Sequence, residues 1–595
     1  MLGTITAIKN NQVIVKLSID IHSQVNLINL HVVFEDEESK VVGEIVSIEG
    51  DIMRANIVGE LKDDIFVPGV SVRPSFKAKI RVVVMDELEK ILGSTKVDVN
   101  QVNFGVSNVY KNYAINVNVD SFFSNHFAII GNTGAGKSFT LTRLLQNLFT
   151  SSEYLPVGAN IFLFDAFGEY TKAFQSIHSI APVLNYKTYT TNTKYPDTDI
   201  LQIPLWLLDV DDIAILLGAT NQLQLPIIEK ALKLVTVLRS DGEDVVKHKN
   251  DIIARAVLDI LLSSDDASKI RDQITAILTN FHTTALNLDT EIVQPGYTRP
   301  LKQCLYVDKT GKLQEMELVV NFMQQFIEPD LELKNPDGTI YYTLDDLEQA
   351  LDFALISEGI YQSNQVYDYA NILKIRLHSL NSSNAKQYFS YPKMVYRNDY
   401  INGLLKSKEG GKCQIVNFNI NYVDDRMAKA ITKILSRMLF TAASENINRA
   451  SFPFHIFIEE AHRYVQRDMD TELLGYNIFE RISKEGRKYG VLLGLITQRP
   501  SELSDTVISQ CSNFLILRVL HPKDLEYIKN MVPNISQEIV ENLKTLQPGN
   551  CIAFGSAFKV PISMYFKKPN PEPLSNNARI SSIWYRTTST EDTVI

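Results

Sequence analysis

Over the first ninety or so residues apolar and polar side chains alternate in short runs, at 4–8, 13–17, 41–48, 53–58, 70–73 and 80–84. A period of two marks half-buried strands, and Asn10-Asn11, Glu49-Gly50-Asp51 and Pro68-Gly69 supply turns between them. The pattern predicts a small all-β barrel or sandwich over residues 1–95. Beyond it the period changes. Continuous apolar runs at 126–130, 161–164, 414–418, 454–458 and 491–496 alternate with stretches of helical spacing, among them Leu141, Leu144, Leu145 and Leu148 and the run 427–440. Such alternation predicts an α/β fold with a parallel sheet covered on both faces, in two parts at 96–204 and 401–568. Between them 211–218, 225–238, 252–262 and 344–356 keep a helical period, and Asn335-Pro336-Asp337-Gly338 is a turn signal. Residues 205–400 are therefore expected to form a helical insertion used for packing or partner contact. The Pro-rich stretch PNPEPLSNN opens a tail, 569–595, that has too little apolar surface for a core of its own. It is expected to cross onto a neighbouring subunit or to stay mobile.

Composition narrows the class. A chain of 595 residues exceeds the ~250–300 at which a single core stops growing, so several domains are expected. Hydrophobic residues at 45% and charged ones at 22% fit a globular protein, and no apolar run approaches the ~18 residues of a membrane span. The start, MLGTITAIKNNQ, carries no basic region followed by an apolar stretch, so a cytoplasmic protein without membrane contact is expected. The four cysteines (Cys304, Cys413, Cys511, Cys551) lack the spacing of a disulfide framework or a zinc site. A net charge of −10 gives no global reason to expect nucleic acid. In a ring, however, a few Lys and Arg lining a channel suffice, so charge decides little.

The chemistry concentrates in GNTGAGKS, residues 131–138, set between an apolar run and a helical one. Strand, glycine-rich loop, Lys-Ser and helix is the phosphate-binding loop of nucleoside triphosphatases. Its backbone N–H groups and the helix N-terminus meet phosphate charge. Gly131, Asn132, Thr133, Gly134, Ala135, Gly136, Lys137, Ser138 and Phe139 are assigned to nucleotide binding. Lys137 is expected to reach the β- and γ-phosphates, and the Ser138 hydroxyl to ligate Mg²⁺. Asp165 ends the second apolar run, on the rim where open α/β sheets bind ligands, and joins the nucleotide set; the alternative is that it only caps the next turn. Glu459 and Glu460 end another. Glu459 is assigned to Mg²⁺ and Glu460 to the attacking water, tasks that an amide cannot perform. Gln498, where the run 491–496 meets the same rim, is placed to contact the γ-phosphate. The segment RISKEGRKYG offers Arg481, Arg487 and Lys488 as candidates for a cation acting across a subunit boundary. KSKEGGK, 406–412, is either a channel-facing basic loop or an exposed turn.

Together these segments resemble the HerA-type hexameric ATPases, DNA translocases related to the FtsK pumps. The resemblance rests on NHFAIIGNTGAGKS, LFDAFGEY, LQIPLWLLDVDDI, IFIEEAH, RISKEGRKYGVLLGLITQRP and QPGNCIAFGSAFKVPISMYF, which occur in family order. It implies a RecA-like P-loop ATPase core carrying an N-terminal β-barrel, ATP and Mg²⁺ as cofactors, a homohexamer, and double-stranded DNA in the central channel. Carried over by motif, Lys137 and Ser138 bind the nucleotide, Glu460 activates water, Gln498 senses phosphate and Arg487 acts in trans. One departure stands out: family members often carry a basic residue before the histidine that precedes the phosphate loop, and here that position is Asn125. The resemblance also implies a separate effector, a NurA-like or other nuclease or a sirtuin-like NADase, docked on the barrel, in DNA end processing or anti-phage defence. Two other readings stay open at this point. One is a nucleotide-binding ring scaffold without processive translocation, the other a secretion or conjugation ATPase.

Overall fold

The computed structural model describes residues 2–19, 27–96, 98, 100–150, 155–194, 199–238, 243–263, 265–328, 338–357, 364–531, 537–575 and 580–585. Residues 335–337 of the expected turn, and 576–579 and 586–595 of the tail, lie outside these.

The N-terminal region is an antiparallel sheet of β1 (Gly3–Lys9), β2 (Gln12–Leu17), β3 (His31–Glu35), β4 (Lys40–Glu49), β5 (Ile52–Lys62), β6 (Ile65–Pro68) and β7 (Lys79–Val82). Its order is β1-β2-β5-β4-β3-β7, with β6 paired to β5. The ends curl together, the Leu2 N–H donating to the Ile80 carbonyl at 2.9 Å. Alternate side chains point inward, so Val13, Val15, Phe34, Val41, Met53 and Ile80 share one core. Two corrections apply. Residues 70–73 are not a strand: the Glu60 carboxylate accepts from the N–H groups of Ser71 and Val72 at 2.6 and 2.7 Å, replacing a ladder partner. Nor is the region wholly β, since Met85–Leu92 is a helix joining it to the next domain.

Among the described residues, eleven strands build the central sheet. In chain order they are β8 (Gln101–Ser107), β9 (Ala114–Asn118), β10 (Phe127–Ile130), β11 (Ile161–Asp165) and β12 (Tyr186–Thr190). A two-stranded hairpin, β13 (Glu291–Gln294) and β14 (Tyr297–Pro300), lies in the insertion. The sheet resumes with β15 (Ile415–Asn419), β16 (Phe454–Ile458), β17 (Val491–Thr497), β18 (Asn513–Ile516), β19 (Asn550–Gly555) and β20 (Ile562–Tyr565). Its order is β12-β15-β11-β16-β17-β10-β18-β19-β20-β8-β9. From β12 to β18 every pairing is parallel; from β18 onward the pairings are antiparallel. The expected parallel sheet is therefore extended by four antiparallel strands from the two ends of the core sequence. Parallel crossovers put helices on both faces, and accordingly β10, β11 and β17 are buried at every position. One face packs Leu141, Leu144 and Leu145 of helix Lys137–Phe149 against Ile129 and Leu163. The other packs Ala128, Phe162 and Phe164 into a core shared with the insertion.

Among the described residues the named elements of the insertion, between β12 and β15, are helices apart from its hairpin. It is tied to helix Asp425–Ser444 by Arg437, which is buried against Asp209, Asp211 and Asp212 of the insertion's first helix turn and against the Tyr476 hydroxyl. Arg437 Nε and Asp212 Oδ1 are 3.0 Å apart. Removing one partner of a buried ion pair strands the other without water. Arg437→Met is therefore expected to cost about 3–5 kcal/mol, seen as earlier thermal melting and faster proteolysis within the insertion.

The tail also departs from expectation. Rather than leaving the subunit, its first part lies along its own core: the Asn570 N–H donates to Gln146 Oε1 and Gln146 Nε2 to the Pro571 carbonyl, both at 2.9 Å. The Leu574 N–H then reaches the Glu169 carbonyl at 2.8 Å. Gln146 projects from the phosphate-loop helix, which gives the segment its polar anchor. Among the described residues no helix is long and apolar enough to cross a membrane.

Candidate nucleotide site

Strand β10 delivers the chain to the rim of the sheet, and the loop after it curls back on itself before the helix begins at Lys137. The reversal requires positive φ at Gly134 (74°) and Gly136 (102°), a region that costs residues with a Cβ. At Gly136 a Cβ would also meet the Gly549 backbone nitrogen at 3.3 Å. The loop opens on a cavity of about 430 Å³, within the range of small-molecule sites. Thr133, Gly134, Gly136, Lys137, Ser138 and Phe139 line it, and Glu459, Glu460 and Gln498 face them from β16 and β17. Gly131, Asn132 and Ala135 do not border the cavity; they shape the loop, the Asn132 carbonyl accepting from Ala135 N–H at 3.1 Å and lying 3.4 Å from Lys137 Nζ.

The two acids differ in setting. Glu459 is 3% exposed, with Oε1 accepting from the Tyr170 hydroxyl at 3.2 Å and from Ser138 Oγ at 3.4 Å. Burial, reinforced by Asp165, Glu169 and Glu460, holds its carboxyl well above the usual range. Glu460 has a left-handed backbone, φ 48° and ψ 45°, a conformation that is strained outside glycine and tends to persist at functional positions. Burial raises its pKa too, and Lys137 and Gln498 oppose that rise. His462 Nδ1 bonds Thr497 Oγ1 at 3.2 Å and stands 3.3 Å from Glu460 Oε2, which itself accepts no hydrogen bond. Burial lowers the Lys137 pKa, countered by the same acids. Gln498 Oε1 accepts from Thr133 Oγ1 at 2.6 Å, so the rim of β17 is tied directly to the phosphate loop.

Among the described residues, three oxygens around this cavity, Glu169 Oε2, Glu459 Oε2 and Glu460 Oε2, are buried without a hydrogen-bond partner. Orphaned carboxylate oxygens beside a serine hydroxyl fit a hard divalent cation such as Mg²⁺.

Asp165 is a correction. It is fully buried and does not border the cavity; its carboxylate accepts from the N–H groups of Glu169 and Tyr170 at 3.0 and 3.2 Å and from Asn417 Nδ2 at 3.2 Å. It shapes the turn that presents Glu169.

The basic segment lies at the opposite end of the strands. Arg487 is exposed in the last turn of helix Ile478–Tyr489, just before β17 begins, and its charge adds to burial in keeping His126 neutral, with a pKa near 4. Arg481 is held by Glu485 at 3.6 Å and lies over the rings of Phe440 and Tyr476, whereas Lys488 is exposed. Asn125 closes the short helix before β10 by donating to the Ser121 carbonyl at 2.8 Å, a structural task. Arg143 is half-buried, its Nε without a hydrogen-bond partner. Lys406 and Lys412 bridge the two arms of an exposed turn near the start of β15, away from the nucleotide cavity.

Sequence reasoning missed one wall. Phe167, Glu169, Gly549, Tyr565, Lys567, Lys568 and Ser575 all border the cavity. LFDAFGEY did contain Glu169, four residues beyond Asp165, but the C-terminal contribution has no local signal: only the antiparallel addition of β19 and β20 beside β18 brings it there.

Residues 104–305, about a third of the chain, match the domain family described as Helicase HerA, central domain. A stretch of 180 residues is 31% identical to the DNA double-strand break repair helicase HerA of Sulfolobus acidocaldarius, spanning 30% of this chain and 36% of that one. The alignment therefore covers well under two thirds of that relative's length. Over 537 residues the chain is 24% identical to the probable helicase MJ1565 of Methanocaldococcus jannaschii, covering 89% of this chain and 77% of that one. Among solved structures, VirB4 of Thermoanaerobacter pseudethanolicus aligns with a TM-score of 0.39 at 14% identity, over 80% of this chain and 98% of that one. Residues 104–305 are thus similar to the central domain of the HerA helicases, and the longer alignment extends a weaker similarity over most of the chain.

Proposed function

We propose that this protein is an ATP-driven DNA motor: a homohexamer of the HerA type that translocates on double-stranded DNA in its channel and works with a separate effector. The observation that carries this reading is the convergence of Lys137, Ser138, Glu459, Glu460 and Gln498 on one cavity at the rim of the sheet. Loop N–H groups and Lys137 hold the phosphates of ATP. Ser138 and Glu459 hold Mg²⁺, which when bound neutralises phosphate charge in the transition state. Glu460 polarises the attacking water, and Gln498, already on Thr133, reads the terminal phosphate. The effector, a NurA-like or other nuclease or a sirtuin-like NADase, docks on the N-terminal barrel, serving DNA end processing or anti-phage defence.

Measuring ATP hydrolysis by the full chain with and without duplex DNA tests the motor. Stimulation by DNA supports it, whereas hydrolysis unaffected by DNA in a ring that still assembles favours a nucleotide-binding scaffold. Lys137→Ala should weaken ATP binding by at least about tenfold, since it removes a charge-assisted contact worth about 1.5–3 kcal/mol. Unchanged affinity of a fluorescent ATP analogue would remove Lys137 from the site.

A further inference from the structure

We propose that Glu169 is a further carboxylate of the metal-binding set, and that the C-terminal segment 570–575 positions it; the inference rests on the Mg²⁺-nucleotide reading above. Glu169 borders the same cavity as Ser138, Glu459 and Glu460, and its Oε2 is buried with no hydrogen-bond partner among the described residues. The hydroxyls of Ser138 and Ser575 lie beside its carboxyl and partly offset the effect of burial, which pushes it up. Ser138 is thus set between Glu169 and Glu459, whose Oε1 is 3.4 Å from the serine oxygen.

The backbone around Glu169 is fixed from two directions. On the inner side Asp165 accepts its N–H at 3.0 Å, and Gly168, at φ 72°, turns the chain against Asn419, whose Nδ2 lies 2.8 Å from where a Cβ would stand. On the outer side its carbonyl accepts from the Leu574 N–H at 2.8 Å. Residues 570–571 are in turn tied to Gln146 on the phosphate-loop helix. The tail segment therefore spans from the helix that carries Ser138 to the turn that carries Glu169, and it places Ser575 on the cavity wall. A carboxylate needed only to shape the turn would have its oxygens satisfied by that turn, as those of Asp165 are. Here an orphaned acidic oxygen belongs to a residue that borders the same cavity as two others of its kind, an arrangement that a divalent cation completes.

Binding of a fluorescent ATP analogue to the full chain, titrated with Mg²⁺ and repeated in EDTA, tests the assignment. Glu169→Gln should raise the half-saturating Mg²⁺ concentration by about tenfold or more, while affinity in EDTA stays within about twofold. Ser575→Ala should move the Mg²⁺ midpoint in the same direction by less. Without metal the Glu169→Gln protein should melt no lower than wild type, because the amide relieves repulsion among the acids, and its Tm should gain less from Mg²⁺. Glu169→Asp, which keeps the charge, should remain closer to wild type than the amide. A Glu169→Gln titration superimposable on wild type overturns the inference, as does an equal loss of affinity in EDTA. If wild type itself bound no nucleotide, the underlying reading would fail instead.

Discussion

Glu460→Gln is expected to bind ATP as the wild type does and to hydrolyse it about 10²- to 10⁴-fold more slowly, the range assigned to a positioned general base. The amide has nearly the same shape, so the left-handed turn at residue 460 and its contact with Gln498 survive. What it cannot do is draw a proton from water. Burial holds the Glu460 carboxyl above the ordinary range and Lys137 pulls it back, so the base is active only once ionised. Activity should accordingly decline with acidification at a higher pH than an ordinary carboxylate would dictate, and that limb should vanish from the residual rate of Glu460→Gln. Steady-state ATPase assays alongside analogue binding check both statements. Glu459→Gln supplies the contrast, since Glu459 Oε1 accepts from the Ser138 and Tyr170 hydroxyls. If Glu460→Gln retained the wild-type rate while Glu459→Gln lost it, the two roles would be exchanged.

The features legible in the sequence were those whose physics is local. An unbroken apolar run such as 126–130 announces a strand buried on both faces, and the glycines of GNTGAGKS announce a backbone that must turn through positive φ. Two acids after a buried strand are likewise a local pattern. The errors arose where one part of the chain satisfies another far away. Glu60 captures the backbone at 71 and 72, so an alternating run that looked like a strand became a loop. Strand β3 gives no alternation to detect, because all but its last residue is buried. Asp165 sits at the rim, as its place after β11 implies, but Asn417 and the N–H groups of Glu169 and Tyr170 draw its side chain inward. The tail's anchoring on Gln146 and Glu169 depends on residues more than 400 positions apart in sequence, a distance over which no periodicity speaks.

Arg487→Ala is expected to slow hydrolysis by about 10³- to 10⁵-fold, the effect of a cation supplied to the transferring phosphate from a neighbouring subunit, with ATP affinity much less affected. The geometry puts this arginine out of reach of its own subunit's phosphate loop. It ends the helix that leads into β17, near His126 at the start of β10, whereas the phosphate loop follows Ile130 at the far end. The four residues of β10 alone put about 13 Å between the two ends, beyond the reach of one side chain already turned toward solvent. Asn125 lies at this same edge, engaged on Ser121, and Arg487 is an exposed arginine there without an ion pair among the described residues. Arg481 is committed to Glu485 and two rings, and Lys488 lacks the planar fork that grips phosphate oxygens in pairs. Mixing supplies the decisive measurement. Arg487→Ala and Glu460→Gln proteins, each inactive alone, should regain part of the activity once co-assembled, because some interfaces then join a wild-type Arg487 to a wild-type Glu460. Rings shown by mass to contain both proteins yet lacking any recovery would mean that Arg487 does not act across the boundary, and the next arginine to test by the same mixing would be Arg481.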